Sequence, residues 1–259
     1  MILDQIVEST RKRVDVLKTK QPLEKIKKIA ERMPKDEHFG FEEALRKDEL
    51  SFICEVKKAS PSKGIIAEDF PYLEIANEYE NAGAACISVL TEPKYFLGNN
   101  QYLEEISGHV NIPILRKDFI IDSYQIYESK IMGASAILLI SSILSTEELQ
   151  QYIRIADSLG LSALVEAHTK EEVIRSLESG ARIIGVNNRN LKNFEVSFSK
   201  CIELRGLVPP NIIFISESGI KSSGHIKELK EHKVNAVLVG ETLMKSSDKK
   251  ALLEEWRNV

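Results

Sequence analysis

From Ser51 onward, a short apolar run followed by a helix-like stretch recurs eight times. The runs are SFICEV, AACISVL, IPILRK, ASAILLI, SALVEA, RIIGVN, NIIFIS and NAVLVG. Each is apolar and too short for a helix, so each reads as a strand. Amphipathic stretches follow near 71–82, 102–106, 123–132, 146–159, 170–179, 200–207, 222–231 and 249–256. Gly83, Gly133, Gly160 and Gly180 stand just past four of them, where a helix commonly ends on a left-handed residue. Near-continuous apolar strands fit a parallel sheet covered on both faces.

Eight strands alternating with eight helices predict a (β/α)8 TIM barrel. The competing architecture, an open doubly wound sheet, usually has fewer strands and a GxGxxG turn, which this chain lacks. A chain of 259 residues is long enough for two domains, yet barrels of this size are routinely one. The expected layout is therefore a barrel over 49–259 behind an N-terminal helical extension over 1–48, one domain overall. In the extension, Ile2, Leu3, Ile6 and Val7 form an apolar stripe, followed by Val14, Val16 and Leu17. Leu23, Ile26, Ile29 and Ala30 form a second stripe that Pro34 ends, and Phe41, Ala44 and Leu45 one further turn. These side chains need a surface to cover. The two ends of the barrel are the surfaces available.

Charge and composition disfavour several functional classes. The net charge is -4 and the pI near 5.9, which gives no basic footprint for nucleic acid. No apolar run approaches the ~18 residues of a membrane span. The start, MILDQIVESTRKRV, lacks the apolar core of a secretion signal. Cys54, Cys86 and Cys201 are too few and too scattered for a disulfide framework or a zinc site, and the five histidines lack metal spacing. The expectation is a cytoplasmic, metal-free protein.

In a (β/α)8 barrel the active face lies at the carboxyl ends of the strands. Those ends carry Glu55 and Lys57, Lys117, Glu166, Asn187 and Glu217. Side chains alternate along a strand, so Lys117 shares the face of Leu115, and Glu166 that of Leu164. Ile183, Gly185 and Asn187 form a similar row, as do Ile213, Ile215 and Glu217. Several strands thus run apolar inward and turn polar at the mouth. With Arg189 the charges sum to zero, so they can be buried together. Either a reactive funnel or a structural ion-pair cap fits that pattern. The runs after strands seven and eight, SESGI and VGETLM, place Gly219 and Gly240 where barrels commonly bind phosphate. Ser60, in KKASPSKG, can add a hydroxyl. Plain turns remain the alternative reading of these loops.

The stretches EVKKASPSKG, TEPKYFLGN, PILRKDFI, ALVEAH, GVNNRNL, SESGI and VLVGETLM, in this order, resemble indole-3-glycerol phosphate synthase. The resemblance implies a cofactor-free step of tryptophan synthesis on a small phosphorylated substrate, with no obligatory protein partner. It implies a catalytic set of Lys117 as acid with Glu55, Glu166, Lys57 and Asn187. Arg189, Glu217 and Ser218 would then orient the substrate, and Phe96 and Phe119 face its aromatic ring. Ser60, Ser218, Gly219 and Gly240 match the family's phosphate contacts, and the resemblance implies that the N-terminal extension lies over the mouth of the barrel, with a plug at its far end as the alternative. Glu241 stands where many members carry a small hydroxyl residue, so its side chain is expected to turn away and leave its backbone N–H to the anion. A phosphoribosylanthranilate isomerase or a tryptophan synthase α chain is the nearest enzymatic rival. The paired lysines and the leading helices argue against the isomerase. A non-catalytic phosphate-binding barrel would have lost part of the charged set, which is complete.

Overall fold

The computed structural model describes residues 2–189 and 196–259. The eight apolar runs form strands β1 (Ser51–Val56), β2 (Cys86–Leu90), β3 (Ile114–Lys117), β4 (Ala136–Ile140), β5 (Ser162–Ala167), β6 (Ile183–Asn187), β7 (Ile213–Glu217) and β8 (Ala236–Val239). All pair in parallel, and β8 returns to β1, closing the barrel that the repeat predicts. An outer ring follows: α4 (Tyr72–Asn81), α5 (Asn100–Ser107), α6 (Ser123–Ile131), α7 (Thr146–Ser158), α8 (Lys170–Glu178), α9 (Ser199–Arg205) and α10 (Ser223–Glu231). A short α11 (Glu241–Lys245) precedes the last helix, α12 (Lys249–Arg257).

The strands bury both faces. Ile53, Leu115, Leu164, Ile183 and Ile213 point inward to one core, while Phe52, Cys54, Val165, Ile184 and Phe214 pack outward under the helices. The continuous apolar runs are the sequence trace of that double burial. The four expected glycine stops all take positive φ. Gly160 shows why only glycine fits: a Cβ there would lie 2.6 Å from the backbone nitrogen of Asp36. Helix α5 starts earlier than its apolar spacing suggests, because the Asn99 side chain accepts the Gln101 N–H and caps it. Pro113 lies before β3 rather than in it. The loop after β1 also holds a small antiparallel ladder, Ala59–Ser60 with Gly64–Ile65, which the sequence did not suggest.

The N-terminal segment divides between both ends of the barrel. Helix α1 (Ile2–Lys20) lies at the mouth, where Arg13 pairs with Asp118 at 2.8 Å and Lys18 with Asp122 at 2.5 Å. Helix α2 (Leu23–Arg32) packs along α6. Helix α3 (Gly40–Leu45) sits at the opposite end. There Phe41 and Leu45 are fully buried in the inner core, and Glu42 accepts hydrogen bonds from Arg182 at 2.9 Å and Ser162 Oγ at 3.4 Å. Ser162 opens β5 and Arg182 precedes β6, so these contacts fix α3 to the amino ends of the strands. The expectation of a single lid is corrected: α1 covers the mouth, whereas Phe41 belongs to a plug. Val16 and Ile29, read as parts of apolar stripes, are exposed.

Candidate active site

All fourteen residues that the sequence reading assigns to the site line one cavity of about 690 Å³ at the carboxyl ends of the strands. Its floor is charged. Lys117 closes β3, and its Nζ donates to Glu217 Oε2 at 2.6 Å and to Glu166 Oε2 at 3.1 Å. Asn187 Nδ2 donates to the same Glu166 oxygen at 3.3 Å, while its Oδ1 accepts the Arg189 backbone N–H. Lys57, just past β1, pairs with Glu55 of its own strand. The first layer below is apolar, with Leu138, Leu164, Ile215 and Leu238 in the inner core. A polar ring above a dry barrel is what period-two alternation requires once each strand ends on a polar inward position.

Three carboxylates and two lysines leave one negative charge unmatched in this floor. Burial pushes the Glu217 carboxyl up, Lys117 opposes that, and Glu166 adds to it; the carboxyl reaches about 7. Burial also disfavours the ionised form of Glu166, but Lys117 and His168 outweigh it and hold that carboxyl below its ordinary value. Burial alone would lower the Lys117 ammonium, yet Glu217, Glu166 and Glu55 together raise it above the usual lysine value. The floor therefore holds a firmly protonated lysine, an ionised Glu166 and a Glu217 that takes up the excess proton near neutrality.

Two glycines make room for these side chains. A Cβ on Gly185 of β6 would collide with the Glu217 carboxyl, and one on Gly240 with the Glu55 carboxyl. The sequence offered Gly240 as a phosphate contact; the structure adds a second reason for its missing side chain. In the loop after β7, Ser218 and Gly219 both have positive φ, and the Ser218 carbonyl accepts from Asn188 Nδ2 at 3.0 Å. A Cβ on Gly219 would lie 2.5 Å from Val196. That turn, Ser60 and the start of α11 form one side of the cavity. The opposite side is apolar, built by Ile2, Leu3 and Ile6 of α1 with Phe96 and Phe119, whose ring centres are 6.0 Å apart.

Two charged residues differ from expectation. Arg189 is outside the floor pairs and faces Glu241 at 3.7 Å. Glu241 lines the cavity, and its carboxylate is also met by Lys245 at 2.8 Å and Lys63 at 3.5 Å. Three cations thus surround the acidic side chain beside the loops read as phosphate-binding. Asn190 and Leu191, the last residues of the GVNNRNL stretch, lie outside the described residues.

Sequence reasoning missed Arg13, Gly185 and His168. Arg13 holds Asp118, the neighbour of Lys117, in a buried group with Arg116 and Thr91. Nothing in the α1 stripe marks that contact. His168 was visible only as part of ALVEAH, one residue past β5, and stands 3.6 Å from Glu166. Among the described residues no group of side chains is arranged to hold a metal ion.

A family model for indole-3-glycerol phosphate synthase matches residues 3–256. The chain is 54% identical over 257 residues to the indole-3-glycerol phosphate synthase of Ruminiclostridium cellulolyticum, covering 99% of each chain. It is 55% identical over 258 residues to that of Endomicrobium trichonymphae, covering 100% of each. Among solved structures it is similar in fold to a 3-hexulose-6-phosphate synthase from Salmonella typhimurium, with a TM-score of 0.65 and 15% identity over 81% of this chain and 97% of that one.

Proposed function

The chain belongs to the indole-3-glycerol phosphate synthase family, and from that premise we propose how its own residues carry the reaction. The enzyme is a carboxy-lyase of tryptophan biosynthesis. It converts 1-(2-carboxyphenylamino)-1-deoxyribulose 5-phosphate to indole-3-glycerol phosphate, CO2 and water. The observation that carries the assignment of roles is Lys117, an ammonium held between Glu166 and Glu217 on the floor of a cavity with one apolar and one glycine-rich side.

The substrate's aromatic end lies against Phe96, Phe119 and α1. Its phosphate lies at the Ser218–Gly219 turn, Ser60 and the Gly240–Glu241 backbone, with Arg189 and Lys63 nearby. Bound across the floor in this way, the substrate presents its ketone to Lys117. The ring carbon bearing the carboxylate attacks that ketone carbon, and Lys117 protonates the developing alkoxide. An alkoxide is a stronger base than an amine, so the firmly held proton still transfers. The bond to the carboxylate then breaks, CO2 leaves, and its electron pair restores the aromatic ring. In the last step the new hydroxyl leaves as water while a carboxylate takes a proton from the adjacent methylene. Glu166 is assigned that base role, because its surroundings favour the ionised form. Lys57, paired with Glu55, supplies the second ammonium for the departing hydroxyl. Glu217 and Asn187 orient Lys117 and Glu166, respectively. The sequence of steps moves protons and one carboxyl group with no net oxidation, so its balance calls for no cofactor.

We also infer that residues 1–48 and 49–259 act as one domain, since the extension reaches both ends of the barrel. A cytoplasmic location and independence from a protein partner belong to the same reading. Among the described residues no helix is long and apolar enough to cross a membrane. The test is turnover of the carboxyphenylamino substrate, followed by indole fluorescence and CO2 release in equal amounts. Single-turnover runs on Lys117→Ala and Lys57→Ala separate the steps. The first should stop CO2 release, and the second should slow indole formation more than CO2 release. Equal loss of both signals in Lys57→Ala would remove its dehydration role.

A further inference from the structure

His168 lies one residue beyond β5, between two carboxylates. Its Nε2 is 3.6 Å from Glu166 Oε1, and its Nδ1 is 3.6 Å from Glu172 Oε2. The residue is 9% exposed, and Nε2 is buried without a hydrogen-bond partner. The start of α8 fixes this placement. Thr169 caps the helix by accepting the Glu172 N–H at 3.2 Å, and the Glu172 carboxylate reaches back to the His168 N–H at 2.6 Å. The side chain that completes the helix cap therefore also stands against the imidazole.

An ionised carboxylate only accepts hydrogen bonds, whereas a neutral imidazole has one N–H. A neutral His168 would turn a lone pair toward one of its two carboxylates; a protonated ring presents an N–H to each. Burial disfavours the charged ring, but Glu172 and Glu166 outweigh it and raise its pKa, with Lys200 of α9 opposing them. Glu166 is faced in turn by Lys117 of β3, Asn187 of β6 and Glu217 of β7.

We propose that His168 is a positioning residue whose imidazolium holds Glu166 Oε1, leaving Oε2 to Lys117 and Asn187 and keeping Glu166 ionised and aimed as a base. This rests on the base role assigned to Glu166 above. A purely structural His168, a neighbour of the α8 cap, would alter stability without altering the pH dependence of turnover.

The deciding experiment is the kcat–pH profile of the full-length enzyme beside His168→Asn and Glu172→Gln. In His168→Asn the acid limb of kcat should move up by about one pH unit, which is roughly a tenfold loss at pH values below the limb. KM should change by less than about twofold, and kcat should recover as pH rises. Glu172→Gln keeps the imidazole but weakens its charge, so its limb should move the same way by less. An NMR titration of the His168 ring in the unmodified enzyme, which depends on no variant folding, should show both nitrogens protonated at pH 7. A neutral ring at pH 7 overturns the proposal, as does a fall in kcat with no movement of the limb. Glu166→Gln separates the two levels: undiminished kcat in that variant removes the base assignment, while a protonated His168 ring would still establish the contact.

Discussion

At the far end of the barrel, α3 drives Phe41 and Leu45 into the inner core and ties Glu42 to Arg182, which Asp157 also holds at 2.8 Å. At the mouth, α1 brings Ile2, Leu3 and Ile6 over a cavity of about 690 Å³ whose floor carries five charged side chains. One N-terminal segment closes both ends, but with different results. The plug fills its end with apolar side chains and ion pairs. The lid leaves space above charged side chains that meet one another across the strands. Burial at the plug should appear mainly as stability, and burial at the mouth mainly as catalysis. Substitutions at the two ends test whether that division holds.

The largest effect is expected on the floor. Lys117→Ala should lower kcat by at least 10²- to 10⁴-fold, the range for a lost general acid. It also removes a cation bonded to both Glu166 and Glu217. Glu217 already binds a proton readily, so proton uptake should limit the loss of stability. A variant with near-normal kcat would break the catalytic half of the comparison. At the plug, Phe41→Ala should cost about 3–5 kcal/mol of stability through the cavity it leaves. Its KM and kcat should stay close to those of the unmodified enzyme at a temperature where it is folded. A large rise in KM would mean that the two ends are coupled.

A smaller effect is expected at the lid. Ile2 and Leu3 are only half-buried, so replacing both by Ala should change the melting temperature little. Both line the cavity, and losing their apolar contact with the substrate's ring should raise KM by roughly three- to tenfold. Steady-state kinetics and a thermal melt on one variant give both numbers. An unchanged KM would reduce the lid to a second plug.

What the sequence disclosed follows the same geometry. Strand ends were legible because a period of two places Leu115 and Lys117, or Leu164 and Glu166, on one face, whatever the neighbouring strands do. Gly185 was not legible as a space for Glu217, because that depends on the β6–β7 register, in which Gly185 pairs with Ile215. Arg13 and Asp118 are 105 positions apart, and α1 carries no local mark of the pairing. The divided extension was ambiguous for a related reason. Phe41 and Ile6 both read as apolar positions on helices, and only the connecting path, α2 along α6, carries one to the plug and the other to the mouth. Glu241 was read alone as an acid beside a phosphate, without Lys63, Lys245 and Arg189 that surround it.

The smallest predicted effect concerns pH and stability. Burial lifts the Glu217 carboxyl to about 7, against an ordinary value of 4.5. The folded protein therefore holds this proton more tightly than the unfolded chain does. Stability from that difference is complete below about pH 4.5 and is lost as pH rises through about 7. Glu166, Glu172 and Asp118 have lowered values, so their contributions have the opposite sign and are lost as pH falls below their ordinary range. His168, with a raised value, loses its contribution only from its ordinary value of 6.5 upward. Between about pH 4.5 and 6.5 the falling term is thus mainly that of Glu217. Urea unfolding at intervals across this range should show a stability component that declines with pH in the unmodified protein and is absent in Glu217→Gln. Phe41→Ala should keep the slope and lose only the overall level, because the plug is at the other end of the barrel. If Glu217→Gln kept the full slope, the unmatched charge of the floor would have to reside on another group. If Phe41→Ala flattened it, the separation of the two ends would fail.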